Sequence, residues 1–168
     1  MTSASTGGQA PAAEPTILIV DDDAAVRSLL KAAVQASAAH CRVYEAADSD
    51  TALRFARSTQ IDLVLLDIVL PNSALSGVMV CQELCRDQRT KVVIVSGSSS
   101  KTIMDACLSA GALECVKKPF TLDDMRPRVQ GWLHGGCPCP PLCGGGAPHE
   151  RGEARSDLVT SAARPAPA

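Results

Sequence analysis

Aromatic side chains are scarce: Trp, Tyr and Phe together make up 2% of the 168 residues. A surface that grips single-stranded nucleic acid stacks bases on aromatic rings, so the sequence does not point to that class. An excess of either charge is also missing, with 16 Lys plus Arg against 18 Asp plus Glu and a formal net charge of -2. No broad basic face for a phosphate backbone is implied. No apolar run approaches the roughly 20 residues that cross a bilayer. The opening MTSASTGGQAPAAEPT has neither the basic start nor the apolar core of a secretory signal. The expectation is a cytoplasmic protein whose partners are neither nucleic acid nor membrane.

Cysteine is plentiful, with eight in the chain. Five of them (Cys41, Cys81, Cys85, Cys107 and Cys115) fall inside segments with helix or strand patterning. Without an export signal these read as reduced, buried small hydrophobes. Cys137, Cys139 and Cys143, with His134 or His149 nearby, do not match the paired C-x₂₋₄-C and H-x₃₋₅-H spacing of a zinc site, so none is expected there.

What the chain does have is a set of short, unbroken apolar runs ending in polar residues. Leu63-Val64-Leu65-Leu66 runs straight into Asp67, then Ile68-Val69-Leu70-Pro71. Such a run reads as a strand buried on both faces of a parallel sheet. An acid at its carboxyl end stands where open α/β sheets bind ligands; the plainer reading is an Asp that caps the next turn. Ile17-Leu18-Ile19-Val20 is a second such strand, closed by Asp21-Asp22-Asp23. Three adjacent acids repel one another, and a divalent cation is the usual way to hold them together.

Further strands are expected at Val43–Ala46, Val92–Val95 and Cys115–Lys117, with helical spacing in the stretches between them. Gly111 suits a left-handed cap after the fourth helix, Thr121 can cap the last, and Pro127 should kink or shorten that last helix. Strands alternate with helices five times, which implies right-handed crossovers and an α/β fold: a parallel sheet with helices on both faces. Residues 1–15 and 134–168 are rich in Gly, Pro, Ser and Ala and are expected to be disordered tails around one foldable domain, 16–133.

Asp21, Asp22, Asp67, Ser96 and Lys118 all follow strands and converge on one rim. Three carboxylates, a hydroxyl and an ammonium make a site for a divalent metal and a phosphoryl group, with one carboxylate placed to attack phosphorus.

At ILIVDDD (17–23), LVLLDIVLP (63–71), VVIVSG (92–97) and KKPF (117–120) the chain resembles the response regulator receiver family of two-component signalling, over the whole foldable part. The resemblance implies a doubly wound, flavodoxin-like five-stranded sheet of order 2-1-3-4-5. It makes Asp67 the phosphoacceptor, charged by a sensor histidine kinase or a histidine phosphotransfer protein. Asp21, Asp22 and Asp67, with the backbone carbonyl of Val69, would hold Mg²⁺. Ser96, Gly97, Cys115, Lys118 and Pro119 would form the switch region: Ser96 reaches for the phosphoryl oxygen, Lys118 pairs with Asp67, and the Lys118–Pro119 bond is usually cis. Asp23 is left to cap the first helix.

Three positions depart from the family pattern. The Asn72–Gly77 loop is longer than usual, Cys115 stands where many relatives carry an aromatic switch residue, and Pro127 alters the last helix. The 34 residues after His134 leave no room for a helix-turn-helix output domain, so a stand-alone receiver acting on a downstream protein, or passing the phosphoryl group on, is expected. It would not be an enzyme beyond its own Mg-dependent phosphorylation and dephosphorylation. Val69, apolar where some relatives place a polar side chain that orients water, implies a long-lived aspartyl phosphate. The main rival is a receiver-like interaction module that is never phosphorylated; a haloacid-dehalogenase-type phosphatase resemblance fails because Val69 stands where that family needs a second Asp.

Overall fold

Apolar runs bounded by turns have become a five-stranded parallel sheet in the order β2-β1-β3-β4-β5. The structure, a computed structural model, describes residues 14–70 and 76–134. These belong to the first of two units into which the chain divides, Met1–Pro138. Apart from Glu14, Pro15 and His134, which ends the last helix, the expected tails lie outside the described residues, as do the Cys137–Cys143 segment and most of the 72–77 loop. Strands and helices alternate: β1 Thr16–Val20, α1 Ala24–Ser37, β2 Arg42–Ala46, α2 Ser49–Ser58, β3 Leu63–Leu66, α3 Gly77–Cys85, β4 Lys91–Ser96, α4 Lys101–Ser109, β5 Glu114–Lys117 and α5 Leu122–His134.

The three inner strands are apolar at nearly every position because both their faces are covered. On one face Leu18, Val20, Val64, Leu66, Val92 and Ile94 pack against Ala52 and Leu53 of α2, Val80, Cys81 and Leu84 of α3 and Cys107 of α4. On the other, Ile17, Ile19, Leu63, Leu65, Val93 and Val95 meet Leu30, Ala33 and Val34 of α1 and Met125, Val129 and Trp132 of α5. Each fully buried aliphatic side chain contributes roughly 1.5–3 kcal/mol, so the two-sided burial outweighs the low β-propensity of the flanking turns. β2, an edge strand, is only partly covered and reads RVYEA rather than as an apolar run.

Helix starts are marked by short polar side chains. Asp23 accepts from the backbone N–H of Ala25 at 2.7 Å, and Asp48 from that of Thr51 at 2.7 Å. At α5 the capping is reciprocal: Asp124 N–H donates to Thr121 Oγ1 at 3.2 Å, while Thr121 N–H donates to Asp124 Oδ2 at 2.9 Å. Gly111 closes the α4 region with φ of 111°, the left-handed conformation that favours glycine.

Of the two outcomes expected at Pro127, shortening does not occur: α5 runs through it to His134. Pro127 cannot donate to the carbonyl of Asp123, yet both residues are exposed, so the freed acceptor is open to solvent and the packing of Met125, Val129 and Trp132 keeps the helix together.

Register decides what meets at the rim. Val20 lies opposite Leu66 and Ala46, and Leu66 opposite Ile94. The ladder runs one residue past the strands: Asp67 N–H donates to Val20 O at 2.8 Å, Asp21 N–H to Ala46 O at 3.1 Å and Lys118 N–H to Ser96 O at 2.9 Å. The residues after β1, β3 and β5 therefore emerge in fixed relation to one another.

Candidate functional site

Asp67 begins where β3 stops, and three donors fix its carboxylate. Ser96 Oγ donates to Oδ1 at 2.9 Å, Val69 N–H donates to the same oxygen at 2.9 Å, and Lys118 Nζ donates to Oδ2 at 2.5 Å. Asp21 is held in the same manner, with Lys118 Nζ on Oδ2 at 2.6 Å and Asp23 N–H on Oδ1 at 3.0 Å. One ammonium thus bridges two carboxylates from β1 and β3. Asp21 and Ser96 are fully buried, Asp67 nearly so, and Lys118 is mostly covered.

Oxygen atoms of Asp21, Asp22 and Asp67 lie within 4.8 Å of one another, the one such cluster of potential metal ligands among the described residues. Hard carboxylate oxygens suit a Mg²⁺- or Ca²⁺-type cation and not a soft one, so the donor set fits the expected ion. Asp22 is exposed, leaving the cluster open on one side. Burial pushes the Asp21 carboxyl above its ordinary value, against the opposing hydrogen bond and charge of Lys118. For Lys118, burial works to lower the ammonium's pKa, but hydrogen bonds to Asp21 and Asp67 outweigh it and the net shift is upward. Three acids facing one base leave the rim short of positive charge, which is what a divalent cation supplies.

Of the remaining residues singled out from the sequence, Val69 and Gly97 line the same open cleft. Val69 is 57% exposed, its apolar side chain at the mouth. Pro119 follows Lys118 through a cis bond. Cys115 lies inside β5, outside the hydrogen-bonded set, and packs beside the core face that α2, α3 and α4 cover; burial pushes its thiol up to about 11.

Two residues that shape the site were not singled out from the sequence. Arg27 of α1 donates from Nη1 to the backbone carbonyls of Asp21 at 2.7 Å and Asp22 at 3.1 Å, and its Nε stands 3.6 Å from Glu45. It braces the turn carrying both acids from behind. Its helical position, one turn after the Asp23 cap, was the available signal. Gly77 opens α3 against the chain just after Asp67: a Cβ there would fall 2.2 Å from the carbonyl oxygen of Ile68. Only glycine permits that approach.

A parallel 2-1-3-4-5 sheet with a metal-competent acidic cluster, a hydroxyl and an ammonium at its carboxyl edge defines a flavodoxin-like α/β domain built to meet a charged oxygen ligand. The sequence model of the response regulator receiver domain matches residues 17–130, and the chain belongs to that family. Among curated relatives, the DNA-binding dual master transcriptional regulator RpaA of Synechocystis is 34% identical over 122 residues, 71% of this chain and 49% of its own. The transcriptional regulatory protein PrrA of Mycobacterium leprae is 37% identical, over 71% of this chain and 50% of its own. The chain spans about half the length of the curated relatives it matches. Among solved structures, the NtrX receiver domain of Brucella abortus is similar with a TM-score of 0.63 and 28% identity, covering 70% of this chain and 98% of that one. A CheY-like receiver protein from Methanospirillum hungatei has a TM-score of 0.63 and 25% identity, covering 73% of this chain and 99% of that one. Two-component response regulation is thus the class of process in which the domain takes part. No helix among the described residues is long and apolar enough to cross a membrane.

Proposed function

We propose that Asp67 accepts a phosphoryl group from a phosphohistidine on a sensor histidine kinase or phosphotransfer protein, and that the domain then changes a protein-binding surface or passes the group on. The single observation that carries this reading is the Lys118 ammonium shared between Asp21 and Asp67, at 2.6 and 2.5 Å, with Ser96 Oγ 2.9 Å from the same Asp67 carboxylate.

An Asp67 oxygen attacks phosphorus in line, a P–O bond forms, and the P–N bond to the donor imidazole breaks. Before transfer, Lys118 and Ser96 hold the carboxylate in one orientation, which removes the entropic cost of aligning it. As the phosphoryl group arrives, the same ammonium and hydroxyl are within reach of its oxygens and offset its charge. Mg²⁺, held by Asp21, Asp22, Asp67 and the carbonyl of Val69, would neutralise the carboxylates and the phosphoryl oxygens. Arg27 keeps the Asp21–Asp22 backbone from relaxing away under that load. Adding about two negative charges at Asp67 draws Ser96 and Lys118 inward. Ser96 ends β4 and Lys118 directly follows β5, so the Gly97 turn and the Pro119 turn shift with them. Cys115 takes no part as a swinging ring, so the change passes through backbone.

The output is read as protein recognition because the chain is poor in aromatics and near neutral overall. No separate substrate is turned over in this reading, and the protein acts in the cytoplasm. Incubation of the full chain with Mg²⁺ and a small acyl-phosphate donor tests the phosphoacceptor. Intact mass is expected to rise by one phosphoryl group, and chelation to prevent it. Absence of any gain would leave a receiver-like interaction module.

A further inference from the structure

Three cysteines meet along the seam between α3 and α4, on the sheet face away from α1 and α5. Cys81 and Cys85 stand four residues apart on α3, hence on the same side of the helix, and their Sγ atoms are 3.9 Å apart. Cys81 is fully buried, its Sγ 3.8 Å from the carbonyl oxygen of Cys107 on α4. Cys85 is partly exposed and is the last residue of α3. It packs directly on Gly111, where a Cβ would lie 3.3 Å from the Cys85 Cβ and 3.6 Å from its Sγ.

We propose that Cys81 and Cys85 form a dithiol oxidation site that a hydroperoxide converts to a disulfide within α3, with Cys85 as the attacking thiol and Cys81 as the resolving one. The roles follow from exposure: a peroxide reaches Cys85 at the helix end and not Cys81 in the core. Acidity runs the same way. The hydrogen bond from Cys81 holds the Cys85 thiol below its ordinary value against the effect of burial, while that contact and burial push Cys81 above it.

In the first step the Cys85 thiolate attacks the distal peroxide oxygen, the O–O bond breaks, and the alcohol (water, from hydrogen peroxide) departs with a proton, leaving Cys85 as the sulfenic acid. In the second, Cys81 sulfur attacks Cys85 sulfur, the S–O bond breaks, and hydroxide leaves as water with the Cys81 proton. Two thiols lose two electrons and one hydroperoxide gains them.

Helix geometry permits this only at an end. Residues four apart have Cα atoms about 6.2 Å apart, inside the roughly 4.4–6.8 Å window of disulfides. Their Cβ atoms, however, must close from about 5–6 Å to about 3.5–4.5 Å. At Cys85 the helix already departs from the regular bond pattern, since Arg86 N–H donates to Glu83 O, three residues back, at 3.3 Å. The terminal turn can therefore tighten. Closing the bond draws Cys85 off Gly111 and moves the seam that α3 shares with the turn leading into β5.

The full chain, treated with a limiting amount of hydrogen peroxide, alkylated and digested with trypsin, tests the site without fragments. Both cysteines fall in one tryptic peptide, residues 58–86. The expected product is that peptide two hydrogens lighter, carrying no alkyl group, and restored to double alkylation by dithiothreitol. Cys85→Ser, or Cys85→Ala should the serine fail to fold, abolishes the shift and leaves Cys81 alkylated; Cys41→Ser leaves it unchanged. The proposal is overturned if Cys81 and Cys85 both stay alkylated after other thiols have oxidised. It is overturned equally if Cys85 is found as a sulfinic acid, or bonded to Cys107 or to a cysteine of the 137–143 segment.

Discussion

Replacing Lys118 by Met keeps the aliphatic stem and removes the one charge that joins Asp21 to Asp67. Oxygens of those two carboxylates lie within 4.8 Å of each other. Two unit charges at that separation repel by about 3.5 kcal/mol at an effective dielectric of about 20. Removing one member of a buried ion pair costs roughly 3–5 kcal/mol by comparison with measured cases, so the two routes agree. For a domain of this size the melting temperature should fall by roughly 10–20 °C at pH 8 without metal. The deficit has a required pH dependence. Loss of the ammonium removes what opposes burial at Asp21, so the folded-state pKa of that carboxyl climbs further above its unfolded value of about 3.9. The penalty is therefore complete at alkaline pH and shrinks as falling pH protonates Asp21. Millimolar Mg²⁺ should close part of the gap as well, by binding only the folded form. In the unaltered protein the raised Lys118 pKa has the opposite window. Its stabilising share is complete below the unfolded value of about 10.4 and disappears as pH rises through the folded one. Melting curves followed by circular dichroism from pH 8 to pH 5, with and without Mg²⁺, make the comparison. A gap between variant and parent that is the same at every pH would refute the electrostatic account and leave only lost packing.

Other outcomes follow from the same geometry. Asp67→Asn should abolish labelling by a small phosphodonor while leaving the circular dichroism spectrum unchanged; undiminished labelling moves the acceptor elsewhere. Arg27→Ala should weaken Mg²⁺ binding about tenfold, a loss of about 1.4 kcal/mol, with all three acids in place; calorimetric titration reads it, and an unchanged affinity removes Arg27 from the site. Gly77→Ala, which forces a Cβ to within 2.2 Å of the Ile68 carbonyl oxygen, should cost about 3 kcal/mol in a denaturant melt. Because Val69 presents an apolar side chain at the cleft mouth, the aspartyl phosphate should outlast purification with Mg²⁺ present. Loss of the label within seconds would count against that role.

Much of this was open to a reader of the letters alone, for a physical reason. A parallel sheet buried on both faces writes each strand as an apolar run, and the residue after each run is delivered to one edge. Asp21, Asp67, Ser96 and Lys118 could therefore be assembled before any distance was known, and Asp23 could be set apart as a cap. The sequence was mute where a residue acts through backbone. Arg27 serves carbonyl oxygens, which every residue has, and Gly77 answers to the main chain at Ile68, nine positions earlier. At Pro127 the expected shortening is overridden by tertiary packing, because the face of α5 that binds the sheet does not include it. Cys81 and Cys85 were visible at helical spacing, but only their sulfur separation distinguishes a pair from two packed side chains.

The claim on which the rest depends is that the side chain of Asp67 carries the phosphoryl group. Borohydride reduces an acyl phosphate to an alcohol, so treating the Mg²⁺-labelled full chain and sequencing peptide 58–86 by fragmentation locates it. That peptide contains Asp62 as an internal control. The account predicts conversion at position 67 alone, absent when Mg²⁺ is chelated. Reduction at Asp62, Asp21 or Asp22, or at no acid in a chain that has demonstrably gained phosphate, would contradict it.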